Sequence, residues 1–204
     1  MKTEAFYKFL TPEGTGGYSS YVWPKDGWTP LIEYSTPLKM CVRGYHVLTQ
    51  DQLLGSYMRA ELWRVDVAGE IVRGGNKLIV RQARRAERIG TWNDRTARLF
   101  ACDCAERVLP IFQVQYPNDQ RPFQAIECAR RFANGKTTLQ ELKAAWAAAW
   151  SAAWSAADAA ADAAEAARAV ARASAEAART ADATADIERK WQQERLMHYL
   201  QLAA

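Results

Sequence analysis

The residues that could do chemistry in the first half of this chain gather around His46, the one histidine of that half. Tyr45 precedes it, and Arg43 and Trp28 are close in sequence. Aromatic rings can stack on a base, and a guanidinium fork suits a phosphate. These four side chains are therefore candidates for holding a nucleotide-type ligand. The plainer account of His46 is a structural histidine hydrogen-bonded beneath its strand. No Ser, Cys or Asp stands at a spacing that would make His46 the base of a nucleophilic pair.

A second group is basic. Arg81, Arg84, Arg85 and Arg88 recur at i, i+3, i+4 and i+7, which on a helix makes one stripe. Arg73 and Lys77 lie just before them. A phosphate-bearing ligand or RNA would suit such a stripe, and Arg81, Arg84 and Arg85 join the candidate ligand-binding set. A solvated face that balances the acids elsewhere in the chain is the competing account. The net charge of +4 on 204 residues is mild, so nucleic acid is not an expected partner. Gly74-Gly75 reads as a turn, since no Gly-x-x-x-x-Gly-Lys accompanies it.

Metal chemistry is not expected. Cys41, Cys102, Cys104 and Cys128 form no C-x-x-C pair, and Cys102 and Cys104 would point apart on a helix. Buried free thiols in a reducing compartment are expected instead. Asp158, Asp162 and Glu165 sit among arginines and read as a salt-bridged surface. No cofactor is implied.

The elements that must position these residues fall into two halves. Residues 1–90 read as a β-rich domain. Phe6–Phe9 alternates weakly, Tyr45–Leu48 follows a turn at Arg43-Gly44, and Thr49 to Gln52 has capping-box spacing for a short helix over 50–56. Glu61–Val67 alternates with period two and continues past a bulge at Gly69 to Val72. Gly74-Gly75-Asn76 turns the chain back into Lys77–Val80. From about 81 the pattern turns helical. Asn93 or Asp94 can cap a helix over 99–108, which Pro110 should kink or end. Pro122 opens a helix over 123–134 that Gly135 closes, with Phe123, Ile126, Cys128 and Phe132 facing inward.

The remainder, within a helical domain 91–204, is dominated by one stretch. Residues 138–186 are more than half alanine and contain no Pro or Gly. Alanine is the strongest helix former, and Thr138 with Glu141 makes a capping box. Unbroken, this helix would span roughly 70 Å. One side is alanine and the other carries alternating acids and arginines, so a second helix should cover the small side. Trp146, Trp150 and Trp154 are four apart and form a candidate partner-binding stripe, because Trp is enriched at binding hot spots; packing on the chain's own core is the alternative. A last amphipathic helix is expected over Ile187–Leu202. The fold class is thus α+β, a β-rich N-terminal domain followed by an α-helical region with a long Ala-rich helix. No stretch is apolar enough to span a membrane, and Met1-Lys2-Thr3-Glu4 does not begin a signal peptide, so the chain is expected in the cytoplasm.

Two stretches resemble known families. Ala101–Phe112, then Tyr116–Pro122, then Ala125-Ile126-Glu127 and Gly135, resemble a helical immunity-protein family of bacterial polymorphic-toxin systems over about 94–157. That resemblance implies a module that binds a toxin or effector and carries no catalytic residues. Leu38–Val47, Val65–Val72 and Lys77 resemble an uncharacterised domain of phage and bacterial proteins. Gly44–Thr49 is also similar to one strand of ADP-ribosyltransferase-type folds, for which only Glu61 and Glu70 are available as the terminal glutamate.

These readings converge on a non-enzymatic binding or inhibitor protein of phage–bacterial conflict, an immunity or anti-defence factor. It would sequester a protein effector or a nucleotide-type signal, and copies would associate through the helices. The alternatives are an enzyme acting on NAD or nucleotides through a degenerate transferase-like domain, and a helical oligomeric structural protein.

Overall fold

The computed structural model describes residues 4–17, 19–56, 58–149, 151 and 175–201. By internal contacts the chain divides into Met1–Asn93 with Leu196–Ala204, and Asp94–Arg195. The first unit is built on a sheet and the second on helices, so the expected α+β class holds.

Four strands make the sheet: β1 (Phe6–Leu10), β2 (Tyr45–Val47), β3 (Glu61–Arg73) and β4 (Leu78–Arg88). All pairings are antiparallel and the order is β1-β3-β4-β2. The sheet curls until Tyr7 of β1 exchanges backbone hydrogen bonds of 2.8 and 2.9 Å with Leu48, just beyond β2. The expected hairpin is present, with Arg73 opposite Leu78 and Gly74 N–H donating to the Lys77 carbonyl at 2.9 Å. The short helix expected over 50–56 is a single 3-10 turn, Gln50–Gln52, capped by Gln52 Oε1 accepting from Thr49 N–H.

The helix expected from residue 81 does not form. Residues 81–88 continue β4, paired with β3 as far as Trp63 opposite Arg88. Helical spacing of the arginines therefore places no basic stripe on one face. The long partner strand β3 overrides the local propensity, as non-local pairing does where backbone groups need a ladder. Two irregularities bend this ribbon. Ala86 is skipped between the pairs at Glu87 and Arg85, and Gly69 with Glu70 face the single residue Arg81. Gly69 has φ +80, and a Cβ there would lie 2.9 Å from the Tyr34 hydroxyl. Conformation and space both require glycine at this bulge.

A buried cluster of Phe6, Leu10, Trp23, Val47, Val65, Leu78, Val80 and Ala83 forms the core of this unit. Leu53, Leu62, Ile79, Leu196 and Leu200 are also fully buried. Trp92 packs edge-on against Phe9, its Nε1 donating to the Arg59 carbonyl at 2.8 Å. Thr91 Oγ1 donates to the Leu200 carbonyl, fastening the end of the last helix to the unit.

The second unit contains α1 (Asp94–Gln115), α2 (Arg121–Ala133), α3 (139–149) and most of α4 (Ala175–Leu200). Pro110 lies inside α1 without ending it. It forfeits one backbone bond, and its neighbour Leu109 is buried. Pro122 opens α2 as expected, and Gly135 at φ +68 closes it, with Gly135 N–H on the Phe132 carbonyl and Lys136 N–H on Arg131. That paired geometry satisfies the last carbonyls. Phe123, expected inside, is 42% exposed at the first turn of α2.

The Ala-rich helix starts where the capping box places it. Glu141 N–H donates to Thr138 Oγ1 at 3.2 Å, and the Glu141 carboxylate accepts from Thr138 N–H at 2.8 Å. Hydroxyl and amide donors hold the Glu141 carboxyl down at about 2. Residues 152–174, and with them the continuity of that helix, lie outside the described residues. The final helix is longer than expected, helical from Ala175 rather than Ile187. Cys41, expected to be buried, is exposed in the turn before β2, whereas Cys102 is buried.

Candidate functional site

In the β-rich unit the sequence-predicted ligand residues surround one loop. Past Val80, β4 has β3 on one side and no strand on the other. The loop over residues 23–36 fills that side. Thr29 N–H donates to the Ala83 carbonyl at 2.8 Å, Thr29 Oγ1 accepts from Ala83 N–H at 3.0 Å, and Ile32 N–H donates to the Arg81 carbonyl at 3.2 Å. An irregular segment thus takes the ladder bonds that an edge strand leaves open.

The arginines tie this loop down. Arg81 is buried; its Nη1 donates to the carbonyls of Ile32, Glu33 and Thr36, its Nη2 reaches Glu70 at 2.6 Å, and it stacks 4.6 Å from the Tyr34 ring centroid. Arg85 donates to the Pro24 and Trp23 carbonyls and lies over Trp63. Arg84 pairs with Asp66 at 2.8 Å and lies over Trp28. Arg43 donates to the Pro37 carbonyl, and Tyr45 Oη to the Pro30 carbonyl. Trp28, Arg81, Arg84 and Arg85 are therefore brought together along one stretch, where Arg81 Nη1 and Arg85 donate to loop carbonyls, Arg81 Nη2 and Arg84 to carboxylates, and the buried Arg81 Nε has no hydrogen-bond partner among the described residues. Of the two candidate glutamates, Glu70 holds Arg81, and Glu61 accepts from Trp63 Nε1 at 2.9 Å with Arg88 at 3.4 Å.

His46 stands apart from these arginines. It pairs with Ile79 across β2 and β4, and its buried Nε2 has no hydrogen-bond partner among the described residues. Burial, with the charges of Lys8 and Lys77, pushes its pKa down to about 4. Lys8, in the middle of β1, lies 5.5 Å from the Trp23 ring centroid; burial and then Lys77 bring its amine down to about 8. The sequence reading passed over Lys8, whose only signal was a lysine inside the apolar run Phe6 to Leu10.

His46 sets a pH dependence. The unfolded imidazole binds its proton near the ordinary value of 6.5, the folded one only near 4. The unfolded state therefore holds more protons across that window, and stability falls as pH drops through it. Urea unfolding should show this fall, and His46→Gln should flatten it. An unchanged slope in the variant would assign the loss to other groups.

The helical unit presents a different surface. Asp103, 6% exposed, sits between two cations, with Arg130 at 2.7 Å and Arg195 at 2.6 Å. Arg130 also pairs with Glu106. Arg107 joins Glu188 at 3.2 Å and lies over the Trp191 ring. These bonds hold α2 and α4 on α1. Beyond them Ile111, Val114, Phe123, Leu139 and Trp146 are exposed. Trp146 is on α3, 63% exposed; Trp150 and Trp154 lie outside the described residues. Burial raises the Cys102 and Cys104 thiols above their ordinary range, which disfavours the reactive thiolate. Among the described residues no group of His, Cys, Asp and Glu could hold a metal, and no helix is long and apolar enough to cross a membrane.

Residues 87–188 match the family model described as "Imm-5 like putative immunity protein", which is half of the chain. The chain belongs to this family. The match covers α1, α2 and α3 and reaches into α4, so the helical unit is the immunity-protein part, in line with the resemblance carried by the Ala101–Phe112 and Tyr116–Pro122 motifs. No curated protein and no solved structure matches the chain.

Proposed function

We propose that this chain is a non-enzymatic immunity protein that neutralises a protein effector by holding it, in the setting of bacterial polymorphic toxins or phage conflict. The family match over residues 87–188 carries the reading. The helical unit supports it with exposed Trp146 and Phe123, aromatic side chains of the kind enriched at protein interfaces. A protein target is favoured over a nucleotide signal because the guanidinium donors of Arg81 and Arg85 already serve backbone carbonyls. Association of copies through the helices is compatible with this role, since closed two-fold pairing is the commonest assembly.

Titration calorimetry of the full chain against candidate effector proteins tests the reading, with co-expression to score relief of toxicity. The expected result is saturable binding and relief, both weakened at least about tenfold by Trp146→Ala. Consumption of NAD or a nucleotide by the chain, with no effector bound, would overturn it.

A further inference from the structure

Lys8 breaks the pattern of its strand. Phe6 and Leu10, two residues to either side, belong to the buried cluster of the β-rich unit, and period two puts Lys8 on their side of the sheet. Its partner across β1 and β3 is Trp63, which packs on the same cluster. The amine lies 5.5 Å from the ring centroid of Trp23, itself buried. Among the described residues it makes no hydrogen bond and no ion pair. A lysine kept for stability would be paired, because an ammonium taken from water into apolar surroundings without a partner costs stability. Arg85 shows the ordinary arrangement: stacked on Trp63 at 5.0 Å, it donates to the Pro24 and Trp23 carbonyls.

Those surroundings favour the amine over the ammonium. Burial first and the cation Lys77 second bring it down to about 8. At neutral pH it then has roughly a few hundred times the neutral fraction of an ordinary lysine. His46, held neutral by burial and by the same two lysines, supplies no opposite charge. Desolvation and a neighbouring cation are the two ways in which a lysine is activated as a nucleophile. An approach to it remains. Lys8 is only partly buried, and the loop that follows β1 passes it at Gly16, where a Cβ would lie 3.4 Å from Nζ. Glycine at that point leaves the amine without a side chain over it. The walls named above are apolar or aromatic, and the donors of Arg85 are taken, so a small uncharged electrophile suits the site better than a phosphate or a carboxylate.

We propose that Lys8, an unpaired amine on the inner side of the sheet beside Trp23, is a nucleophile and the site at which a small uncharged aldehyde adds to this chain. The Nζ lone pair attacks the carbonyl carbon. The carbonyl oxygen leaves as water with the two amine hydrogens, and a C=N bond replaces C=O. The step needs no oxidant or reductant, and water reverses it. It yields an adduct without turnover, so it lies outside the immunity role and does not depend on it.

Peptide mapping of the full chain after brief exposure to acetaldehyde and cyanoborohydride, which fixes each imine as a secondary amine, is the test. At neutral pH Lys8 should be modified at least about tenfold faster than Lys25 and Lys39, both of which are exposed. Its rate should level off above a pH of about 8 while theirs keeps climbing. Lys77→Gln removes a positive neighbour and should move that midpoint upward. Lys8→Met should abolish the fast label and leave the urea midpoint at or above that of the wild type, since an apolar side chain suits the position. Labelling of Lys8 no faster than of Lys25 would overturn the proposal, as would a midpoint as high as that of the exposed lysines. A marked loss of stability in Lys8→Met would show that the amine has a structural partner, and would overturn it too. No effector enters the assay, so failure here leaves the immunity role standing.

Discussion

Asp103→Ala should lower the stability of the helical unit by about 3 kcal/mol, the low end of what removing one partner from a buried ion pair costs. The reasoning turns on what remains. Asp103 is nearly inaccessible, while Arg130 and Arg195 keep 26% and 37% of their side chains exposed. The stranded guanidinium groups can recover part of their hydration, which holds the loss below that of a fully enclosed charge. Arg130 also retains Glu106. Amide exchange should rise in α4, which Arg195 ties to α1 through this carboxylate. Asp103→Asn keeps the shape and some hydrogen bonding and should fall between wild type and alanine. Urea unfolding with an unchanged slope measures the difference. A shift under about 1 kcal/mol would show that the bridge contributes little beyond its geometry.

Arg81→Met should cost a similar amount, about 3 kcal/mol, for a different reason. Methionine fills the volume but leaves the carbonyls of Ile32, Glu33 and Thr36, and the Glu70 carboxylate, without their donor. These acceptors are only partly buried, so each lost hydrogen bond costs its net worth, on the order of 1 kcal/mol. Arg81→Lys should rescue little, since one ammonium cannot span three carbonyls, a carboxylate and the face of Tyr34 as a planar fork does. Amide exchange at Ile32 and Thr29 should rise strongly in both variants, because those bonds depend on the loop staying on β4. Protection at wild-type levels in Arg81→Met would mean that the loop is held by Thr29, Gln82 and Arg85 alone.

The elements with period-two alternation or explicit punctuation were legible in the sequence. Glu61 to Val72 with its glycine bulge, the Gly74-Gly75-Asn76 turn, Pro122 and Gly135 at the ends of α2, and the Thr138 capping box each follow from local stereochemistry. Residues 81–88 were not, because arginines at i, i+3, i+4 and i+7 satisfy a helical template, while the strand is set by a partner some twenty residues away. Pro110 does not end α1, because its local cost is outweighed by the rest of the helix. At the candidate site the residue types around Trp28 and Arg81 to Arg85 identified a cluster that does converge, but sequence spacing could not show that Arg81 and Arg85 donate to loop carbonyls while Arg84 pairs with Asp66. The buried position of Asp103, flanked by two cysteines on α1, was legible only in hindsight from its apolar neighbours.

The strap over β4 also bears on how this protein can be engaged. Extended peptides are often captured by adding a strand to a vacant sheet margin. Here the backbone groups of Arg81 and Ala83 are already taken by Ile32 and Thr29, and Tyr7 and Leu48 saturate one another where β1 meets the end of β2. Strand addition at these places would require the resident segment to leave first. At these two places a partner must therefore be gripped by side chains, which makes recognition there a matter of shape and composition rather than of main-chain pairing.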